Sequence, residues 1–210
     1  MKRIDPTPAH RHEIAPGTKA NEERLRSATQ RLSFRRTRDA LPTRIDTPRL
    51  ILRAPMRGDV PAIAALADNK NIAEKLARLP SPYTRADAIA FVEIFSQRAD
   101  ERPFAITSDH GEFLGVVGFT YAMGEHPELG YWLGEPHWGK GIMTEAVKAL
   151  LDAAFATGLY PVVRARALQS NAGSIHVLEK AGFRNVGSGI DEVGFNKGAP
   201  IFHFRMERPR

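Results

Sequence analysis

The residues best suited to chemistry in this chain stand in one segment, Glu128-Leu129-Gly130-Tyr131-Trp132-Leu133 followed closely by Trp138-Gly139-Lys140-Gly141-Ile142-Met143-Thr144-Glu145-Ala146. Read in order, this is a strand, a glycine-containing loop and the start of a long amphipathic helix. Gly139 and Gly141 let backbone approach a ligand closely. The free N–H groups of the first helical turn, aided by the helix dipole, point at whatever negative group sits there. Thr144 adds a hydroxyl donor, and Lys140 adds charge near the loop. The pattern reads as an anion site. Its spacing excludes two familiar phosphate loops, because the Walker A loop needs Gly-Lys followed directly by Ser or Thr, and the dinucleotide fingerprint needs a third glycine.

Other reactive groups are sparse. With no Cys in the chain there is no thiolate nucleophile, no thiolate metal site and no disulfide framework. His126, His137, His176 and His203 have no partner at metal-ligand spacing, and His10 and His12 lie in an irregular N-terminal stretch, so no metal is expected. Arg164 and Arg166 alternate along a strand and form a solvated or ligand-facing edge. Phe91 and Phe95, at helical spacing, read as core.

The elements that must position the loop follow from hydrophobic periodicity. From Pro48 the chain reads as an α/β domain. A strand over 49–54 ends at Pro55, and a helix covers 58–69. Thr84 caps a second helix running to about Arg98. Strands over 104–107 and 113–121 are joined by Ser108-Asp109-His110-Gly111, and a further strand spans 128–133. The strongest helix covers 142–156, with Met143, Val147, Leu150, Leu151 and Ala154 as its apolar stripe and Gly158 beyond its end. A strand over 162–168, a helix over 172–181 stopped by Gly182, and a strand over 201–206 complete the pattern.

Composition sets the bounds. The chain has 210 residues and a mass of 23.3 kDa, enough for one domain with an extension. At 42% hydrophobic and 26% charged residues, with a mean hydropathy of −0.32, it reads as soluble and globular. The long apolar stretch 143–159 carries Glu145, Lys148 and Asp152, so no membrane span and no membrane partner are expected, and a cytoplasmic location is. The formal charge of +6 is unevenly placed. Residues 1–44 hold 11 of the 30 Lys and Arg but 5 of the 24 acids, which leaves 19 of each sign in the rest of the chain.

Residues 1–44 therefore form a basic N-terminal extension, partly helical, ahead of a neutral domain over 45–210. Its first part, with Pro6, Pro8, Pro16 and Gly17, reads as irregular. A helix is expected from Asn21, with Leu25, Ala28 and Leu32 as a packing stripe and Pro42 closing the arm. Phe34 and Leu41 are its other large apolar groups. No interleaved aromatics or binding motif accompany the arginines, so packing on the domain or across a homodimer is expected over recruitment of nucleic acid.

Four motifs in order resemble the GNAT N-acetyltransferases, and within them the RimJ/RimL-type branch, which acetylates ribosomal-protein N-termini and other amines. They are Thr47-Pro48-Arg49-Leu50-Ile51-Leu52-Arg53, Glu128 to Leu133, Trp138 to Ala146, and Asn171-Ala172-Gly173-Ser174 with Glu179-Lys180-Ala181-Gly182-Phe183. The resemblance implies a mixed, mostly antiparallel sheet flanked by helices, with a splay between the fourth and fifth strands through which acetyl-CoA is threaded. It implies pantetheine contacts at the backbone of Tyr131, Trp132 and Leu133, diphosphate contacts over Trp138, Gly139, Lys140, Gly141, Ile142, Met143 and Thr144, and further cofactor contacts at Asn171 and Ser174. Trp138 and Met143 differ from the superfamily's commoner residues at those two places, and Leu178 stands where many members carry a Tyr that protonates the departing thiolate.

The reaction so implied is direct transfer of acetyl to a primary amine in a ternary complex, without metal or covalent enzyme intermediate. Glu128 is the candidate general base, acting through water, or else an exposed acid at a strand end. Ser174 either hydrogen-bonds the cofactor or supplies the proton that Leu178 cannot, and the N–H near Leu133 faces the carbonyl oxygen. The acceptor stays open between a protein N-terminus, ribosomal proteins included, and a small-molecule amine such as a polyamine, an amino acid or an aminoglycoside-like drug. Tyr83, Phe91, Tyr121 and Arg53 either line its site or are structural. The competing reading is a catalytically weak CoA-binding module that its basic arm recruits to ribosomes or nucleic acid.

Overall fold

In the computed structural model, which describes residues 16–209, eight strands form one sheet in the order β1-β2-β3-β4-β5-β6-β8-β7. They are β1 (Arg44–Asp46), β2 (Leu50–Arg53), β3 (Glu101–Ser108), β4 (Phe113–Thr120), β5 (Glu128–Leu133), β6 (Val162–Leu168), β7 (Arg184–Ile190) and β8 (Pro200–Glu207). Neighbours are antiparallel except β5 and β6. A parallel pair needs a long crossover, and the expected helix over 142–156, here α5 (Ile142–Ala156), supplies it. Because the short β1 precedes the expected first strand, the expected splay falls between β5 and β6. Their ladder holds only Glu128↔Arg164 and Leu129↔Ala165 before the strands part.

Side-chain alternation sorts the strands onto two cores. On one face, Ile106, Val117, Leu129, Val163 and Ala165 meet α5 through Ala146, Val147 and Leu150, and meet α6 (Ala172–Ala181) through Leu178. On the other, α2 (Val60–Ala67) and α4 (Arg85–Glu93) pack Val60, Ile63, Ala88 and Val92 onto Ala105 and Val116. Leu178 is fully buried, a placement worth about 1.5–3 kcal/mol for a leucine, so this position on α6 belongs to the core.

Several elements match the sequence reading to the residue, among them β5, α5, β6 and α6. Thr84 caps α4 in a capping box, its hydroxyl accepting from the Asp87 N–H at 3.3 Å while the Asp87 carboxylate accepts from the Thr84 N–H at 2.8 Å. The helix expected to run to Arg98 instead ends at Glu93 and tightens into a 3-10 turn over Phe95–Gln97. The change of pitch turns Phe95 outward, 49% exposed, while Phe91 packs on the second core as expected. The helix expected over 58–69 starts as a 3-10 turn over Arg57–Asp59 and stops at Ala67, and α3 (Lys70–Ala73) follows under an Asn69 cap. Sequence patterning did not show β7, an edge strand of mostly exposed residues with two glycines, or the three-residue β1.

The basic arm is corrected in two respects. Its helix, α1, spans Pro16–Asp39 and so begins earlier than Asn21, taking Pro16 and Gly17 with it. Proline suits a first helical turn, where its missing N–H has no intrahelical partner to lose. The packing face is also different, since Leu25 and Leu32 are 61% and 66% exposed. Phe34 stacks on Tyr121 with ring centroids 6.0 Å apart, the Tyr160 hydroxyl donates to the Thr37 carbonyl at 3.1 Å, and Leu41 is buried in the first core. Anchorage at Leu41 sets the rotation of the helix, and about 100° per residue places Leu32 and Leu25 away from Phe34. Pro6, Pro8, His10 and His12 lie outside the described residues.

Candidate active site

The site starts from the edge of β5 that loses its neighbour. The Pro127 carbonyl accepts from the Arg164 N–H at 2.9 Å, so by strand alternation the backbone groups of 129, 131 and 133 face the same way. Past Leu129 there is no β6 residue opposite, and the groups of Tyr131 and Leu133 point into the gap. One of them is taken: the Trp138 indole N–H donates to the Leu133 carbonyl at 2.8 Å, which folds Trp138 back over the strand end. The Tyr131 groups and the Leu133 N–H remain as an edge that an amide-bearing chain can pair with as an added strand.

The gap leads to the loop before α5. Gly139 and Gly141 both have φ +73°, in the left-handed region open to glycine. Around Gly139 nothing lies within 4 Å of where a Cβ would stand, so open space, not crowding, surrounds it. Gly141 is the N-cap of α5 and no side chain caps the helix, which leaves its first N–H groups available to an anion. Ile142 and Thr144 are half-buried, Lys140 is exposed, and Met143 turns into the first core, so its presence in the first turn costs the loop nothing.

On the far side of the gap Asn171 caps α6, its side-chain oxygen accepting from the Ser174 N–H at 3.1 Å. The Ser174 hydroxyl lies 2.9 Å from the Tyr131 hydroxyl, and Tyr131 also reaches the Ser174 carbonyl at 3.1 Å. Burial pushes the Tyr131 phenol well above its ordinary range, against the opposing hydrogen bond from Ser174, so it stays protonated. This pair crosses the gap on the side of the first core.

The first core lies on one face of the gap, and the opposite face of β5 carries Glu128, Gly130 and Trp132. There Glu128 meets Arg166, with Nε to Oε1 at 3.1 Å, and Arg166 reaches on to the buried Asp191 at 3.1 Å. Arg164 lies 3.9 Å from Glu128 and pairs with Glu125. The arginines expected at a solvated or ligand-facing edge are thus each held by acids. Between Glu128 and Trp132, Gly130 has nothing within 4 Å of a would-be Cβ, which leaves standing room beside the apex of the splay. All four residues weighed for the acceptor side make structural contacts, Phe91 on the second core. Tyr83 is buried in the second core with its hydroxyl pushed up to about 12 by burial, Tyr121 is buried against Tyr160 at 2.6 Å, and Arg53 pairs with Asp59 at 2.7 Å.

Sequence reasoning named Glu128, Ser174 and the loop as candidates but not their contacts with Asp191, Arg166 and Tyr131. Spacing put Arg164 and Arg166 on one face; nothing local could name partners on other strands. Among the described residues no three His, Asp or Glu side chains cluster as a metal would need, and no helix is long and apolar enough to cross a membrane.

A sequence model described as an acetyltransferase (GNAT) domain matches residues 49–184. A Bacillus subtilis protein named "Probable N-acetyltransferase YjcK" is 44% identical over 104 residues, 48% of this chain and 58% of that protein, so the match spans less than two thirds of that relative. Two solved structures share the fold. A RimL ribosomal L7/L12 alpha-N-protein acetyltransferase in complex with coenzyme A superposes with a TM-score of 0.68 at 22% identity, covering 80% of this chain and 97% of that one. A spermidine N-acetyltransferase from Vibrio cholerae with CoA and spermine gives 0.66 at 20% identity, covering 77% and 97%.

Proposed function

The chain belongs to the GNAT acetyltransferase family, and on that premise we propose that it is a cytoplasmic N-acetyltransferase of the RimJ/RimL type, moving the acetyl group of acetyl-CoA to a primary amine. The observation that carries this is the end of the β5–β6 ladder at Leu129 and Ala165, on the strand that runs on into the uncapped glycine loop. One feature accepts the pantetheine amides and the other the diphosphate.

Acetyl-CoA supplies an activated acyl group and a stable thiolate leaving group. The chain's own residues supply the rest. The N–H groups of Gly139 to Thr144 hold the phosphates, the β5 edge aligns the arm, and the Leu133 N–H faces the carbonyl oxygen where negative charge develops. Glu128 takes the amine proton through water, at the end of the splay where Gly130 leaves room. Ser174, held in place by Tyr131, turns its one hydroxyl proton from the Tyr131 oxygen to the sulfur as the thiolate forms.

The acceptor side favours a singly charged amine such as a protein N-terminus over a polyamine, because Arg164 and Arg166 between them pair with Glu125, Glu128 and Asp191 and leave the charge of one acid unbalanced. Thiol release from acetyl-CoA, measured across peptides, polyamines, amino acids and aminoglycosides, tests the reading. Turnover with at least one peptide N-terminus is expected. Tight CoA binding without turnover on any amine would turn the reading toward a CoA-binding module, and failure to bind acetyl-CoA would remove it.

A further inference from the structure

Resting on the reading above, we propose that Arg49 is a positioning residue for the diphosphate loop, acting through the Lys140 carbonyl and the Glu145 carboxylate. Neither the segment Thr47 to Arg53 nor the Glu145 side chain has a role in the site as described so far, and the fold brings them together. Arg49 Nη1 donates to the Lys140 carbonyl at 3.1 Å, while its Nε and Nη2 lie 2.7 and 2.6 Å from Glu145 Oε2. The other carboxylate oxygen, Oε1, accepts from the Thr47 hydroxyl at 2.6 Å and from the Arg49 N–H at 3.2 Å. Thr47 in turn accepts from the Leu50 N–H at 2.9 Å, where β2 begins. The loop is thereby tied to a strand more than 90 residues earlier in the chain.

Two consequences follow for ligand binding. A carbonyl turned toward a diphosphate would repel it, and the Arg49 contact occupies the Lys140 carbonyl, so that Gly139 to Thr144 offer N–H groups to the anion. Second, Glu145 sits in the first turn of α5, next to where phosphate would bind. Unpaired, it would oppose the anion, but the Arg49 guanidinium fork neutralises it in place. Gly141 stands beside this fork, its would-be Cβ 3.6 Å from the guanidinium. The net charge of the pair is near zero, so the function of Arg49 is orientation more than attraction. Burial opposes ionisation of Glu145, yet the hydrogen bonds from Thr47 and Arg49 outweigh it and hold the carboxyl below its usual range.

The test uses two acetyl donors, acetyl-CoA and acetyl-pantetheine, the second lacking the diphosphate. For Arg49→Ala the KM for acetyl-CoA should rise about tenfold or more, with kcat at saturation and the KM for acetyl-pantetheine little changed. Arg49→Lys, which keeps the charge but not the fork, should fall between wild type and Arg49→Ala. Combining Arg49→Ala with Glu145→Gln should be no worse than the stronger single change, since both break one network. An equal KM rise for the two donors would show a general loss of structure and overturn the proposal. So would unaltered acetyl-CoA binding in a folded Arg49→Ala protein. Should Arg49→Ala not fold, the Arg49→Lys donor ratio decides alone. Wild-type protein that binds no acetyl-CoA would instead sink the function itself, a separate outcome.

Discussion

The hydroxyl of Tyr131 on β5 lies 2.9 Å from that of Ser174 on α6, and this contact joins the two sides of the splay where the β5–β6 ladder has already ended. Ser174 alone is a mobile hydroxyl; paired with a protonated, buried phenol it has a fixed direction.

Tyr131→Phe should therefore reduce kcat by about as much as Ser174→Ala, with the double variant no slower than either. Loss of one hydrogen bond should cost only about 0.5–1.5 kcal/mol of stability. Steady-state kinetics with urea denaturation checks both, and additive kinetic losses would separate the two residues.

At Gly141, a glutamate brings strain at φ +73° and a carboxylate into the anion site at once. Acetyl-CoA affinity, read by titration calorimetry, should fall beyond detection while the protein stays folded. Unchanged affinity would take the loop out of the cofactor site.

Replacing Glu128 by Gln keeps size and removes the proton acceptor. Turnover should fall more than acetyl-CoA binding, and the loss should shrink above about pH 8, where an α-amine loses its proton unaided. Because Arg166 also loses one of its two acidic partners, Arg166→Gln is the control; a comparable effect there would mean that Glu128 acts on Arg166 and not on the amine.

For the arm, Leu25→Ala should leave the melting temperature unchanged, because Leu25 is exposed. Deletion of residues 1–44 removes Phe34 and buried Leu41 together, at about 2–5 kcal/mol for a large buried side chain, and should lower it markedly. Equal melting of the deleted form and the Leu25→Ala protein would show that the packing of Phe34 and Leu41 contributes nothing.

The Glu145 carboxyl is held below its ordinary value of 4.5 in the folded state. Its ionised form therefore contributes stability above that pH, and the contribution disappears as pH falls through the lower folded value. Wild type should exceed Glu145→Gln in stability from neutral pH down to about 4.5 and lose the margin below it, as followed by denaturant melts across pH.

The sequence by itself determined the elements whose signals are local. Periodicity and flanking glycines delimited α5 and α6 to the residue, and β5 and β6 were equally legible. The loop glycines announced a left-handed turn before α5, found at Gly139 and Gly141, because access to positive φ is a property of the residue itself. Tertiary structure alone decided which groups meet. That Arg166 holds Glu128, that Tyr131 reaches Ser174, and that Arg49 reaches a loop more than 90 residues away depend on strand order and on where β5 and β6 part. The same holds for α1, where the stripe of Leu25, Ala28 and Leu32 had the correct spacing and faces solvent. Periodicity marks a helix face but not what lies opposite it, and the anchorage at Leu41 chose a different face.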